Sequence, residues 1–354
     1  MNEYIFLCEH KYLGSYMEQR KIVSLGRSSL VVSLPKYWVR LNGLKQGDFV
    51  SVALNRDRSL VIFPSVKREN EVEEITLHIG EEDKSLQVIR SIIACYLNGY
   101  SDIKLVSDKF FKAAQQKAIR DAVKKLYMRV MEADAKHMRI ATLIDESKAS
   151  VEAGIKRMYT LSNSMCRDVL LALKNNDVEL AKTVYTLDDE VDNFSFLLLR
   201  LVRKAATNPT LASQFKLDAL DCLDFQTFIH RIEQIADQAA NIAKSIILLH
   251  GKRKKISEQI LDKLYSAGNA ALELYEKAVI SIFSNNVKGS EEVIIGKANL
   301  EKLDQEIASL AFLEEKSTEV ICACCSIRDS ILRMAEFATD IAEIAIDRLY
   351  KPSS

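Results

Sequence analysis

"RIEQIADQAANIAKSII", residues 231–247, decides how most of this 354-residue chain folds. Its apolar positions are Ile232, Ile235, Ala236, Ala239, Ala243 and Ile246, the rhythm of a helix that buries one face. The rhythm returns in "ILRMAEFATDIAEIAIDRL", residues 331–349, as Ile331, Met334, Ala335, Ala338, Ala342 and Ala345. At about 100° per residue, Asp237 and Asn241 stand roughly 140° and 180° from Ile232, and Glu336 and Asp340 stand at the same angles from Ile331. A second pair agrees. In "LDDEVDNFSFLLLRL", 187–201, Asp188 and Asp192 lie roughly 100° and 140° from Leu187; in "LDQEIASL", 303–310, Asp304 and Ala308 take those angles from Leu303. Shared apolar stripe and shared polar phase together indicate a duplicated unit.

The helical pattern runs from about Ser147 to the end, with helices near 148–174, 178–206, 216–249, 255–285, 290–316 and 319–349. The breaks are "KNND", "TNPTLAS", "HGKRKK", "NNVKGS" and the surroundings of Ser317. Six long helices with short links predict two three-helix bundles over 148–350. Residues 72–145 alternate instead: strand in "EVEEITLHI", helix over Ser85–Leu97, strand in "DIKLV", helix over Lys109–Leu126, then closing strands in "YMRVM" and "HMRIATL". This is a small α+β connector or dimerisation element. Residues 18–66 read as four short strands, Lys21–Leu25, Leu30–Leu34, Phe49–Leu54 and Leu60–Phe63, with turns at "GRSS" and "NRDRS" and a helix at about Pro35–Asn42. Pro35 suits the first helical turn, Gly43 the helix end and "QGD" the next turn.

The formal charge of the whole chain is zero, yet it is unevenly spread. Between Glu18 and Arg68 ten Lys/Arg face three acids, so this head carries +7 and the rest −7. A basic head suits an anionic polymer or surface. Seven cysteines, an odd number without a secretory leader, predict reduced thiols in a cytoplasmic protein, and no apolar run approaches the roughly 20 residues of a membrane span. "CACC", 322–325, falls inside a helical pattern and reads as small core thiols. Five histidines at 10, 78, 137, 230 and 250 form no ligand-spaced pair, and no phosphate loop or nucleophile–base motif occurs, so an enzyme is not expected.

Acids spaced i, i+4 share one helix face, and two such pairs brought together would offer oxygen ligands to a cation; a merely solvated face would carry the same pattern. The stretches at 187–201, 231–247 and 331–349 resemble the signature helices of PhoU, the phosphate-uptake regulator family, over roughly 148–350. The resemblance implies two tandem three-helix bundles with iron or zinc held by acidic D/E-x-x-x-D motifs. Those positions are Asp188 and Asp192; Asp237 with Asn241 in place of the second acid; Asp304 with Ala308; and Glu336 and Asp340. Asn241 keeps a ligating carbonyl, whereas Ala308 has none.

The stretch "RKIVSLGRSSLVVSLPKYWVRLNGLKQGDFVSVALNRDRSLVIF", 20–63, resembles the AbrB/SpoVT swapped-hairpin domain. So small an element buries too little alone, and pairing hairpins from two chains into one barrel would close its strand edges. The resemblance implies a homodimeric DNA-binding head presenting Arg20, Lys21 and Arg27, with Lys36 and Arg40 nearby and Trp38 packed in the barrel. The fold expected is therefore multidomain: an AbrB-like swapped-hairpin β-barrel, an α+β connector and an all-α PhoU-like pair of bundles. Together the resemblances, which match the arrangement of archaeal PhoU-family members, imply a phosphate-responsive transcription regulator. The alternative is an accessory protein acting on a phosphate transporter's ATPase or a signalling partner without touching DNA.

Overall fold

A computed structural model describes residues 18–54, 58–64 and 73–351. The chain divides into two compact units, residues 1–52 with 60–70, and residues 53–59 with 71–354. In the first, β1 (Val23–Leu25) and β2 (Ser29–Val31) pair antiparallel, Val23 opposite Val31, through a turn that Gly26 makes at φ +73°. Helix α1 (Lys36–Leu41) forms where the sequence predicts a helix, with Pro35 as its extended N-cap and not a residue of its first turn. The "QGD" turn closes with Asp48 accepting the Lys45 backbone N–H at 2.7 Å. Strands β3 (Ser51–Leu54) and β4 (Leu60–Phe63) form a second two-stranded sheet; Asn55 to Asp57 of the expected "NRDRS" turn lie outside the described residues. No closed barrel forms among the described residues of this one chain. Ile22, Leu25, Leu30 and Phe49 stay exposed, Phe49 to 90 %.

The second unit begins with a four-stranded sheet in the order β5-β6-β8-β7: β5 (Glu74–His78), β6 (Asp102–Val106), β7 (Met128–Ala133) and β8 (His137–Thr142). β5 and β6 are parallel and joined by α2 (Ser85–Leu97), while α3 (Ala113–Lys125) leads into the antiparallel β7–β8 hairpin. Alternation puts Ile103, Leu105, Met138 and Ile140 on the buried face with Val88, Ile92 and Ile119 of the helices.

The remaining helices are α4 (Val151–Asn175), α5 (Val178–Thr207), α6 (Pro209–Phe215), α7 (Ala219–Gly251), α8 (Glu258–Ser284), α9 (Val287–Glu314) and α10 (Thr318–Leu349). α4, α5 and α7 pack as one bundle, α8, α9 and α10 as another, and α7 lies against α10 so that one apolar core runs through both. The repeat extends to the turns. Asn176 ends α4 at φ 51° and Asp177 caps α5; Asn285 ends α8 at φ 52° and Asn286 caps α9. A two-residue link of left-handed residue plus cap forces antiparallel neighbours in both bundles. Along α7 and α10 the stripe alanines, Ala236, Ala239, Ala243, Ala335, Ala338 and Ala342, are fully buried.

The α+β segment and the helices share this compact unit. Arg200 of α5, 1 % exposed, is inserted between them. It donates to the carbonyls of Tyr96, Gly99 and Tyr100 at the end of α2 and, through Nε, to Glu146 at 2.7 Å.

Candidate metal centre

Two helix faces make the site. On α5, Asp188 and Asp192 stand one turn apart; on α7, Glu233 and Asp237 do the same. The stripes that bury Val191 on α5 and Ile232 and Ala236 on α7 draw the two helices together, and the acids at the edge of those stripes are only half-exposed. Oxygen atoms of Asp192, Glu233 and Asp237 lie within 4.8 Å of one another. Asp188 is the fourth carboxylate, close enough for its charge to act on Glu233 and to feel Asp192 and Asp237.

The electrostatics follow from that crowding. Burial, and then the neighbouring carboxylates, push Asp188 and Glu233 up to about 7. Asp192 and Asp237 are raised too, chiefly by burial. Lys125, at the end of α3, supplies the compensating charge at Asp192: its Nζ lies 2.8 Å from Asp189 and 4.0 Å from Asp192. An oxygen-only set of crowded, half-buried acids has the donor chemistry of a site for a hard cation or iron.

A pH dependence follows. In the unfolded chain Glu233 and Asp188 release their protons near ordinary carboxylate values; in the folded, cation-free chain they hold them to about 7. Folding then takes up protons, so the contribution of these groups is greatest below the unfolded values and is lost as pH rises to about 7. The groups facing them are Asp192, Asp237, Asp189 and Lys125. In chelator, the melting temperature should gain less between pH 5 and 8 than it does for Glu233→Gln, a comparison that scanning calorimetry makes directly.

Of the residues the sequence singled out, Asp188, Asp192 and Asp237 meet here. Asn241 is exposed one turn beyond Asp237 and outside the converging trio. Glu233 was not among them. Its signal was present as Glu233-x-x-x-Asp237, the spacing of Asp188–Asp192, but phasing against the second repeat hid it because Leu332 stands at the matching position. Asp304, Glu336 and Asp340 do not converge. Asp304 takes Arg328, Asp340 takes Arg231 at 2.7 Å, and Glu336 lies 4.0 Å from Lys297. In the head, Lys21, Arg27, Lys36 and Arg40 are exposed, whereas Arg20 is half-buried and bonded to Glu18 at 2.6 Å and to Ser33 at 3.2 Å. Trp38 is half-buried beside them.

The family model of the PhoU domain matches residues 155–246, from α4 to α7, a span that contains all four carboxylates. The fold is similar to that of the phosphate transport system regulatory protein PhoU from Streptococcus pneumoniae, with TM-score 0.50 and 14 % identity over 58 % of this chain and 95 % of that one. It is equally similar to PhoU from Pseudomonas aeruginosa, with TM-score 0.51 and 16 % identity over 57 % of this chain and 96 % of that one. No curated protein matches the sequence. Among the described residues no helix is long and apolar enough to cross a membrane.

Proposed function

We propose that this chain is a phosphate-responsive regulator in which the first bundle holds a cation and the head, paired with that of a second copy, binds DNA. The observation that carries the reading is the converging trio Asp192, Glu233 and Asp237 between α5 and α7, with Asp188 beside it, lying inside the span that matches the PhoU domain. Asp188, Asp192, Glu233 and Asp237 would be the ligands. Carboxylates alone suit iron or a harder divalent ion better than zinc, which favours nitrogen and sulfur. The bound ion would neutralise the crowded acids and fix the spacing of α5 and α7. The paired head is supported by its exposed apolar side chains, which a single copy leaves in water. An AbrB-like barrel made from two chains would bury them and double the set Lys21, Arg27, Lys36 and Arg40.

Gel-shift titrations over a salt series test the DNA limb. Affinity should fall linearly with log salt, and Arg27→Ala with Arg40→Ala should lower the slope by about one for each phosphate contact removed. Arg20, already engaged by Glu18, should contribute less than Arg27.

One observation favours the second reading, an accessory protein acting on phosphate transport: the matched domain lies wholly outside the head. On that reading the protein still dimerises but shows no DNA affinity even at low salt. Either way the role is regulatory, not catalytic.

A further inference from the structure

The two bundles share turns, apolar stripes and polar phase, so their positions can be matched along the chain. Asp188 and Asp192 of α5 correspond to Asp304 and Ala308 of α9; Glu233 and Asp237 of α7 correspond to Leu332 and Glu336 of α10. Two carboxylates of the four are therefore replaced by apolar side chains. One turn before Leu332, where the first bundle has the fully buried Ile229, the second has Arg328. Arg328 donates Nε to one oxygen of Asp304 at 2.8 Å and Nη2 to the other at 2.7 Å. Both side chains are less than one-fifth exposed. The gap beside them, lined by Leu264, Leu300, Ile307 and Ile331, measures about 10 Å³, at the lower limit for a single water. Glu336 points to Lys297 instead.

We propose that Arg328 is a built-in cation standing where the second repeat would otherwise take a metal, so that the chain loads its cation in the first bundle alone. The guanidinium joins α9 to α10 through Asp304 as a bound ion would join α5 to α7. A planar fork on one carboxylate needs no further ligands, so the loss of the acids at 308 and 332 costs the pair nothing. The consequence is an asymmetric sensor. Cation status alters the α5–α7 contact, whereas the α9–α10 contact is fixed whatever the supply. The one-sided loading rests on the cation reading of the first bundle; the replacement by Arg328 does not.

Manganese(II) stoichiometry of the full chain, by calorimetry and elemental analysis, tests both parts. Asp304→Asn with Arg328→Gln removes the paired charges together and keeps a polar side chain at each position, and should leave the wild-type stoichiometry unchanged. A fall in bound metal overturns the proposal. Ala308→Asp, Arg328→Ile and Leu332→Glu combined rebuild the first bundle's pattern in the second, and should add one equivalent per chain; no gain in a variant whose circular dichroism is that of the wild type also overturns it. Wild-type protein that binds no manganese defeats the cation reading of the first bundle, and the rebuilt variant then still decides the role of Arg328.

Discussion

Adding manganese(II) to chelator-treated protein will raise its melting temperature, and Asp192→Asn with Glu233→Gln will erase the gain. Asp192, Glu233 and Asp237 place oxygens within 4.8 Å of each other, Asp188 adds a fourth charge, and Lys125 answers from 4.0 Å. An ion that binds the folded chain and not the unfolded one at about 100 times its Kd contributes about 2.7 kcal/mol, or about 5–10 °C for a domain of this size. The amide variants keep the volume of the side chains and remove half the charge. Their cation-free melting temperature at pH 8 should therefore lie at or above that of the wild type, because repulsion among half-buried carboxylates is relieved. Differential scanning calorimetry with and without manganese measures both effects. A wild-type curve that manganese leaves in place, together with empty elemental analysis, would reduce the cluster to a solvated acidic face.

The helices were legible from local evidence: an alanine–isoleucine stripe along α7 and α10, and an Asn–Asp or Asn–Asn link after α4 and α8. α6 was not. "TNPTLAS" reads as a breaker, yet Pro209 sits at the first turn of a short helix whose cap is Asn208, a position where proline loses no hydrogen bond. The strands of the α+β segment were placed by alternation, but in the order β5-β6-β8-β7 the β5–β6 and β6–β8 pairings join segments tens of residues apart and no local pattern encodes them.

The site divides in the same way. Spacing of i, i+4 tells which acids share a face, and so Asp188 with Asp192 could be read directly. It does not tell which cation another helix will bring. Arg328 to Asp304, Arg231 to Asp340 and Lys297 to Glu336 are all decided by packing between helices. Lys125 reaches the centre from the α+β segment, 64 residues before Asp189. Arg200 was hidden more completely, as one polar residue in the apolar run "FLLLRL".

That arginine carries the largest stability effect expected of any single substitution here. Arg200→Met keeps the apolar volume and removes the guanidinium that serves Tyr96, Gly99, Tyr100 and Glu146 at once. The three carbonyls close the end of α2, where the helix dipole is negative and a cation is favoured. The guanidinium also lies over the Tyr96 ring, 4.7 Å from its centre. Without it, Glu146 keeps Lys204 at 2.7 Å and the Tyr96 carbonyl keeps the Gly99 N–H at 3.1 Å, but the Gly99 and Tyr100 carbonyls lose the arginine's donors. Leaving buried acceptors without their donor costs about 1–3 kcal/mol for each one stranded, about 3–5 kcal/mol together, and for a unit of this size that lowers the melting temperature by about 10 °C. Arg200→Lys should recover little, since one ammonium cannot span the fork of acceptors. Arg203 is the control: it bonds Leu97 and Asn98 from an exposed position, and Arg203→Ala should cost under about 1 kcal/mol. Hydrogen exchange localises the effect, because in Arg200→Met the amides of residues 95–106 should exchange faster than those of α8–α10. A melting temperature within 2 °C of wild type, a margin below the roughly 2–4 °C that 1 kcal/mol is worth, would mean that the α+β segment is held by the packing of Phe196 and Leu97 and that the arginine is incidental.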